Sequence, residues 1–363
     1  MLPVGPGTGD DELARLHDAE LPERTAVLVR TSGSSGTPKT VALSAAALTA
    51  SAEATHEELG GPGQWLVALP GHLISGLQML VRSQVSGIDP VFFDGSFDPV
   101  RLLDVAERMD HERRYISLVP VQLARLLDLA EADAAAADAL RGFAGVLVGG
   151  QAVTLELRRR AHELGVALRR SYGMTETAGG CVYDGVEIGD TRVRIRDGEV
   201  QLAGSCLALG YVGDAALTSA RFIEDRGTRW YRTGDAGELL GGMLTVTGRI
   251  DRVLISGGVN VSLDEVERVA REHRGWGSVV ALAAPHPEWG ERVALVVETE
   301  PSAVAFDEVR AAIKQALGAA AAPEWVTETD SLPRLASGKP DLPAIERWTH
   351  ELRSSFRTLG RGD

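Results

Sequence analysis

Apolar and polar positions fall in blocks that change character along the chain. Residues 26–29 form a short apolar run, the mark of a buried strand. A polar stretch over 31–39 follows, then a helical pattern over 42–59. Residues 64–70 read as a strand ending in a turn, and from His72 a mostly apolar helical run reaches Val85. Val91-Phe92-Phe93 is a short strand. Asp98-Pro99 supplies an N-cap and a proline at the first helical position, and Leu102, Leu103, Val105, Ala106 and Met109 recur at helical spacing behind it. Residues 115–119 are a strand, and Pro120 opens a helix over 121–129. Residues 145–148 are a strand ending in Gly149-Gly150. Thr154 starts a helix that Gly165 stops, and 166–168 is the next strand. Residues 131–139, rich in Ala and Asp, read as a helix end or a loop. Strands alternating with helices predict a parallel α/β sheet, in which ligands sit beyond the carboxyl ends of strands. The 33–39 loop and Gly149-Gly150 both fall at such ends.

The texture changes after Ala178. Residues 192–196 and 199–202 flank Asp197-Gly198, a hairpin signal, and 230–240 and 243–246 flank Gly241-Gly242 in the same way. Residues from about 184 to 248 therefore read as an antiparallel β subdomain. Ser262-Leu263-Asp264-Glu265 is a capping box heading a helix to Glu272. Strands over 279–283 and 292–298, a helix over 307–317 and a strand over 324–329 complete a compact α+β unit. The predicted fold class is α/β: a large N-terminal α/β domain with an antiparallel β subdomain (1–250), plus a small α+β C-terminal domain (251–363).

With 363 residues, 44% of them hydrophobic, the chain can bury a full core. Its 37 basic and 51 acidic residues give a net charge of −14, with no Lys/Arg block, which argues against a nucleic-acid or anionic-membrane surface. Anionic ligands would need local cations, amides or a metal to oppose the global field. Cys181 and Cys206 fit no metal spacing and no disulfide framework, which suits a reducing cytoplasm. The N-terminal stretch lacks the basic region and apolar core of a signal peptide, and no apolar run is long enough for membrane insertion. Homo-oligomer formation is left open.

Five polar islands are candidates for chemistry. In the first, Thr31-Ser32-Gly33-Ser34-Ser35-Gly36-Thr37-Pro38-Lys39, two glycines, four serine or threonine hydroxyls after Thr31 and one lysine can form a nest of donors for phosphate oxygens. It is not a Walker A loop, because Thr37-Pro38 rather than Gly precedes Lys39; a P-loop kinase or GTPase is excluded on that spacing. A Ser/Gly linker is the plain alternative. The others are Gly149-Gly150, Tyr172-Gly173-Met174-Thr175-Glu176-Thr177, Tyr231-Arg232-Thr233-Gly234-Asp235, and residues 332–339 ending in Lys339. Tyr172 could equally be a core aromatic, Glu176 a helix N-terminal carboxylate, Asp235 a turn residue and Lys339 a solvated loop lysine. The five in this order are hard to explain as turns.

Together the islands resemble the adenylate-forming superfamily of acyl-CoA synthetases, adenylation domains and luciferases, over essentially the whole chain. TSGSSGTPK is similar to the superfamily's phosphate loop, YGMTET to its adenine and metal motif, YRTGD to its ribose motif, GRIDR to its hinge, and LPRLASGK to the segment with its catalytic lysine. The resemblance implies ATP, Mg²⁺ and CoA as co-substrates: a carboxylate attacks the α-phosphate of ATP, and a thiol then attacks the acyl-adenylate. It gives Lys339 the bridge between carboxylate and α-phosphate. Glu176 would hold Mg²⁺, Thr175 would bind the α-phosphate, and Tyr172 would stack on adenine beside Gly149-Gly150, with Gly173 and Met174 in the same motif. Asp235 would accept the ribose hydroxyls, and Arg249 would reach ribose or phosphate. Thr31, Ser32, Gly33, Ser34, Ser35, Gly36, Thr37 and Lys39 would hold the β- and γ-phosphates. Asp251 matches the hinge about which a mobile C-terminal domain rotates, and Gly257-Gly258 would line the CoA tunnel. Pro340-Asp341 depart from the residues ending in Arg that often follow the lysine in the family.

The phosphate loop begins early, at Thr31, so an N-terminal subdomain common in the family is expected to be trimmed. Residues 65–83 and 173–186 also resemble short actinobacterial-type o-succinylbenzoate–CoA ligases of menaquinone biosynthesis. The implied acid carries an aromatic ring, a ketone and two carboxylates. His72, Ser75, Gly76 and Leu77 lie on the stretch that lines the family's acyl pocket, and His72 counts among the candidate catalytic residues; a buried structural histidine is its alternative. Arg82 and Arg170 are candidates for the second carboxylate, which arginine can meet bidentately, or else surface charges. Two other readings stay open: a stand-alone aryl adenylation enzyme loading a carrier protein, and a catalytically silent nucleotide-binding protein. The negative surface disfavours an acidic carrier. The presence of Lys339, Glu176 and Asp235 disfavours a silent protein.

Overall fold

A computed structural model describes residues 20–31, 39–299, 303–335 and 339–359, the last eight of these by backbone alone. The chain divides into two compact units, one of residues 1–233 and 238–245, the other of 234–237 and 246–363.

In the first unit β1 (Thr25–Thr31) and β2 (Lys39–Ser44) pair antiparallel and lead into α1 (Ala45–Glu58). The helix starts at Ala45 rather than near 42, because 39–44 pair with β1 and the Ser44 hydroxyl accepts from the Ala47 N–H at 3.1 Å as the N-cap. β3 (Gln64–Val67), α2 (Ile74–Ser86), β4 (Val91–Phe92), α3 (Pro99–Ala106), β5 (Arg114–Leu118), α4 (Pro120–Ala132), α5 (Ala134–Arg141), β6 (Gly145–Gly149), α6 (Leu155–Glu163) and β7 (Leu168–Met174) follow. The Ala/Asp-rich stretch is thus partly a helix of its own, capped by Asp133 through the Ala135 N–H.

β8 (Gly179–Tyr183) and β9 (Val186–Glu187) complete a seven-stranded sheet in the order β4-β3-β5-β6-β7-β8-β9, parallel from β4 to β7 and antiparallel beyond. Alternation sorts the strand side chains to two faces. Leu66, Ile116, Leu118, Val146 and Val148 pack with α3–α6, while Trp65, Val67, Tyr115 and Leu147 pack with Met79 of α2 and Tyr183. The chain leaves β3 outward to β4 and returns to β5 on the other side of β3. This reversal makes the carboxyl ends of β3 and β5 a topological switch point, where ligands of such sheets bind.

The antiparallel subdomain comprises β10 (Arg192–Arg196), β11 (Glu199–Ala203), β12 (Gly210–Tyr211), α7 (Ala215–Arg221), β13 (Phe222–Asp225), β14 (Thr228–Leu240) and β15 (Met243–Arg249). Asp197 and Gly198 turn the first hairpin at φ 53° and 77°, and Gly241 and Gly242 the second at 59° and 84°, as the two-residue loops required. β12 leaves this group and pairs with β2 instead. Cys181 and Cys206 are free thiols in one buried cluster with Val182, Val200, Leu202 and Leu244.

The second unit holds β16 (Val253–Ser256), β17 (Val259–Ser262), α8 (Leu263–Arg271), β18 (Val279–His286), β19 (Gly290–Glu298), α9 (Phe306–Leu317), β20 (Trp325–Thr329) and α10 (Leu342–Leu359). Val279, Ala281, Val293, Leu295 and Val297 pack on α8 and α9, and Val280, Leu282 and Val296 pack on Leu332 and Ile345 of α10. The architecture is the predicted α/β domain with an antiparallel β subdomain and a separate α+β unit.

Candidate active site

The first island is the loop of the β1–β2 hairpin. Thr31 and Lys39 stand opposite each other across it, and the Thr31 hydroxyl donates to the Lys39 carbonyl at 3.4 Å. Ser32, Gly33, Ser34, Ser35, Gly36 and Thr37 lie outside the described residues. β12 adds to β2 with Tyr211 opposite Val41, which brings the Tyr211 ring under the Lys39 ammonium, 5.9 Å from Nζ to the centroid. The Tyr211 hydroxyl donates to Glu176 Oε1 at 2.9 Å and lies 3.3 Å from the Tyr231 hydroxyl. Burial first, then the Glu176 charge, push both phenols above their ordinary value, so each remains a proton donor.

Glu176 itself is only 8% exposed, in a single 3₁₀ turn, Thr175–Thr177, with Thr175 similarly buried. The turn is fastened on every side. Its Glu176 carbonyl accepts from the Ala208 N–H at 2.8 Å, the Met174 N–H reaches Thr177 Oγ1 at 3.0 Å, and Gln78 Nε2 caps the Ala178 carbonyl at 2.6 Å. Arg229 holds the 208–209 backbone from the other side, at 2.6 and 2.8 Å. At Gly173 (φ 158°) a Cβ would come within 2.1 Å of the Gly179 carbonyl, so glycine alone fits where β7 bulges against β8. Gly149 ends β6 opposite Ser171, so Gly149-Gly150 lie one residue from Tyr172 across the sheet. Tyr172 and Met174 are half-buried against the cluster of Cys181 and Val182. The structure therefore brings together Lys39, Glu176, Thr175, Tyr172 and the glycine pair from three separate islands.

His72 lies half-buried in the turn after β3, at the switch point, with Ser75 exposed one turn on. Gly76 and Leu77 serve packing instead: a Cβ on Gly76 would fall 2.2 Å from the Pro70 carbonyl, and Leu77 rests on the cluster of Val29 and Val41. Arg82, two turns beyond Ser75 on α2 and so on the same side of the helix, is not a surface charge. It is 3% exposed, its guanidinium stacks 4.7 Å from the Trp65 ring centroid, and Nη2 reaches the Tyr183 hydroxyl at 3.4 Å. Tyr183 is in turn bonded to Thr55 at 2.9 Å. No carboxylate faces Arg82 among the described residues, its Nε is buried without a partner, and so are His56 Nε2 and Trp65 Nε1 nearby. Burial lowers the pKa of Arg82, and it lowers that of His56, with Arg82 adding to the effect. Arg170 does not stand open in this way. Asp184 takes its Nε at 2.9 Å and its backbone N–H at 3.2 Å, so its charge is already answered.

In the second unit Arg249 bridges Asp235 and Asp251. It donates to Asp235 at 3.0 Å and to both oxygens of Asp251 at 3.1 and 3.0 Å, while its own N–H is held by Asp264. Burial would lower the Arg249 pKa, but the two carboxylates outweigh it and hold the group charged. Gly257 and Gly258 form the β16–β17 turn at φ 56° and 84°; a Cβ on Gly257 would meet the Trp289 ring at 2.4 Å, whereas Gly258 faces open space. Lys339 is exposed, and its carbonyl accepts from the Leu335 N–H at 2.8 Å, next to the pairing of Arg334 with Pro340. Ala336, Ser337 and Gly338 lie outside the described residues. Glu298 anchors residues 332–334, accepting from the Leu332 N–H at 2.7 Å and from Arg334 at 2.8 Å.

Tyr211, Tyr183 and Glu298 carry no signal in the sequence. Tyr211 sits in a two-residue strand too short for periodicity, and the partners of Tyr183 and Glu298 are distant along the chain.

A lone buried carboxylate suits Mg²⁺, which is held through one or two protein carboxylates plus substrate phosphates. Among the described residues no group of three His, Cys, Asp or Glu side chains forms a protein cage for a metal. Among them, too, no helix is long and apolar enough to cross a membrane.

The chain belongs to the AMP-binding enzyme family: that family's description fits residues 6–240, and its C-terminal domain fits residues 265–339. Within the family it is 38% identical over 336 residues to a probable 2-succinylbenzoate–CoA ligase of Mycobacterium tuberculosis, covering 90% of this chain and 85% of that one. It is 31% identical to the 2-succinylbenzoate–CoA ligase of Listeria monocytogenes, covering 87% and 68%. Among solved structures it is similar to the o-succinylbenzoate CoA synthetase of Bacillus subtilis in complex with the acyl-adenylate OSB-AMP, at a TM-score of 0.75 and 29% identity, covering 87% of this chain and 68% of that one.

Proposed function

We propose that the protein is an AMP-forming ligase that activates 2-succinylbenzoate (o-succinylbenzoate) with ATP and passes it to CoA in menaquinone biosynthesis. The observation that carries the choice of acid is Arg82. A buried guanidinium without a carboxylate is costly, and it becomes favourable when a substrate brings the carboxylate. An acid with a second carboxylate does so, and a simple benzoate or a fatty acid does not. Trp65 beneath the guanidinium and His72 at the switch point suit an aromatic keto acid.

In the first half-reaction the substrate carboxylate oxygen bonds to the α-phosphorus, and the bond to the pyrophosphate oxygen breaks. Lys339 places its ammonium between the two anions, where charge builds on the phosphoryl oxygens. The Thr175 hydroxyl donates to the same oxygens, and Lys39 with the loop that it closes holds the departing pyrophosphate. Mg²⁺ bound by Glu176 would neutralise phosphate charge. Asp235 accepts the ribose hydroxyls beside Arg249, and Tyr172 stacks on adenine beside Gly149-Gly150. In the second half-reaction the thiol sulfur bonds to the acyl carbon and AMP leaves. Rotation of residues 251–363 about Asp251 withdraws Lys339 and presents the Gly257-Gly258 turn to CoA. The thiols of Cys181 and Cys206 fit a cytoplasmic setting.

The test is product analysis by mass, with ATP, Mg²⁺, CoA and either o-succinylbenzoate, its analogue lacking the carboxylate that is not activated, benzoates or fatty acids. A thioester from o-succinylbenzoate in strong preference to the analogue is expected. Adenylate without thioester would move the assignment to a carrier-protein thiol, and no preference for the dicarboxylate would overturn the choice of acid.

A further inference from the structure

We infer that Tyr211 is a positioning residue that sets the spacing between Lys39 and Glu176, holding the carboxylate through its hydroxyl and the ammonium through its ring. The inference rests on the reading of Glu176 as the Mg²⁺ carboxylate and of Lys39 as a pyrophosphate contact.

Three observations carry it. First, the hydroxyl donates to one oxygen only, Glu176 Oε1, at 2.9 Å in a buried setting. A carboxylate fixed at one oxygen keeps its plane and offers the other to a cation. Ligating carboxylates are commonly oriented by such a donor, and its loss costs about 10–100-fold in metal affinity. Second, the opposite end of the same side chain is an aromatic face 5.9 Å beneath Lys39 Nζ, within the range of a cation–π contact. One rigid side chain with two rotatable bonds therefore spans the two groups that must meet adjacent phosphates. Third, Tyr211 cannot drift. Its backbone is paired to β2 opposite Val41, two residues from Lys39, and its N–H is held by Thr218 at 2.9 Å. The ring is wedged against Phe222 at 5.9 Å, and the hydroxyl is backed by that of Tyr231. None of these contacts involves the second unit, so the spacing is set within the first unit alone.

The two ends of the side chain can be removed separately. Tyr211→Phe keeps the ring and deletes the donor, whereas Tyr211→Leu deletes both. The readouts are binding of Mn²⁺ to the full chain with a non-hydrolysable ATP analogue, followed by electron paramagnetic resonance, and inhibition by pyrophosphate. Tyr211→Phe should weaken Mn²⁺ binding about 10-fold and leave pyrophosphate inhibition unchanged. Tyr211→Leu should weaken both. A general packing defect would move both readouts in the Phe variant, and that result overturns the inference. Glu176→Gln separates the inference from the reading beneath it. If Glu176→Gln weakens Mn²⁺ and Tyr211→Phe does not, Tyr211 is not a positioning residue. If Glu176→Gln leaves Mn²⁺ binding intact, the metal reading of Glu176 falls, and the inference falls with it.

Discussion

Replacing Arg82 by Met should cost the enzyme its substrate and cost the fold nothing. Of the five guanidinium N–H groups, the structure spends one on Tyr183, at a long 3.4 Å, and leaves Nε buried and unpaired. An incoming carboxylate would meet a desolvated cation that has no competing anion. Truncating one partner of a buried hydrogen-bonded charge pair costs about 2–5 kcal/mol. At about 1.4 kcal/mol per decade, this is a loss of about 30-fold to 4,000-fold in kcat/KM for o-succinylbenzoate. The analogue without the second carboxylate has nothing to lose and should react at a similar rate with either protein. Stability should move the other way. Met removes an uncompensated buried charge and keeps an apolar stem over Trp65, where sulfur and ring attract by about 0.3–1.5 kcal/mol. The melting temperature of the ligand-free variant should equal or exceed that of the wild type, a trade of function for stability often met at binding sites. The assay is pyrophosphate release with each acid, alongside thermal melting. Equal losses for both acids together with a lower melting temperature would make Arg82 a structural arginine and refute the reasoning.

Three further outcomes follow from the other parts of the site. Lys339→Ala should lower adenylate formation by about 10²–10³-fold, the usual cost of one stabiliser of transition-state charge, while calorimetry still registers ATP binding; an unchanged adenylation rate would remove the lysine from the chemistry. Asp251→Pro, which fixes φ at the hinge, should retain adenylate formation in a single-turnover assay and lose thioester formation; equal loss of both would refute the hinge. Glu298 is raised by burial, but the Leu332 N–H, Ser278 and Arg334 outweigh this and hold it below the ordinary glutamate value of 4.5. Its stabilisation is thus complete above that pH and lost as pH falls through the lower folded value. Glu298→Gln should lower the melting temperature at neutral pH, with the difference closing in acid, and a gap that persists at low pH would count against the anchor.

Where the sequence was legible, period and punctuation agreed. The hairpins at Asp197-Gly198 and Gly241-Gly242, the cap at Ser262 and the alternating α/β blocks all rest on local rules that tertiary packing did not override. One local reading gave way, and one helix was not predicted. Residues 42–44 open an alanine-rich helical pattern, yet pairing with β1, and at Ala42 also with β12, makes them strand. α10 is absent from the predicted elements, although Asp341 caps it through the Ala344 N–H at 3.1 Å. For the site, the islands named the chemistry but not its supports. The commitments of Arg82 to Trp65 and of Arg170 to Asp184 separate two arginines that look alike in sequence. The first depends on which face of α2 meets β3, and the second on an antiparallel turn 14 residues on.

The buried pair Cys181 and Cys206 gives the molecule a built-in reporter. They are the chain's only cysteines, both lie in the first unit, and at 1% and 4% exposure neither thiol meets solvent in the native state. A thiol reagent can therefore modify the native protein only when that core opens, so its rate reads the free energy of opening. The second unit contributes no thiol and stays silent. Labelling the intact enzyme with and without nucleotide would thus report how tightly a ligand holds the first unit closed, with no engineered residue and no probe attached beforehand.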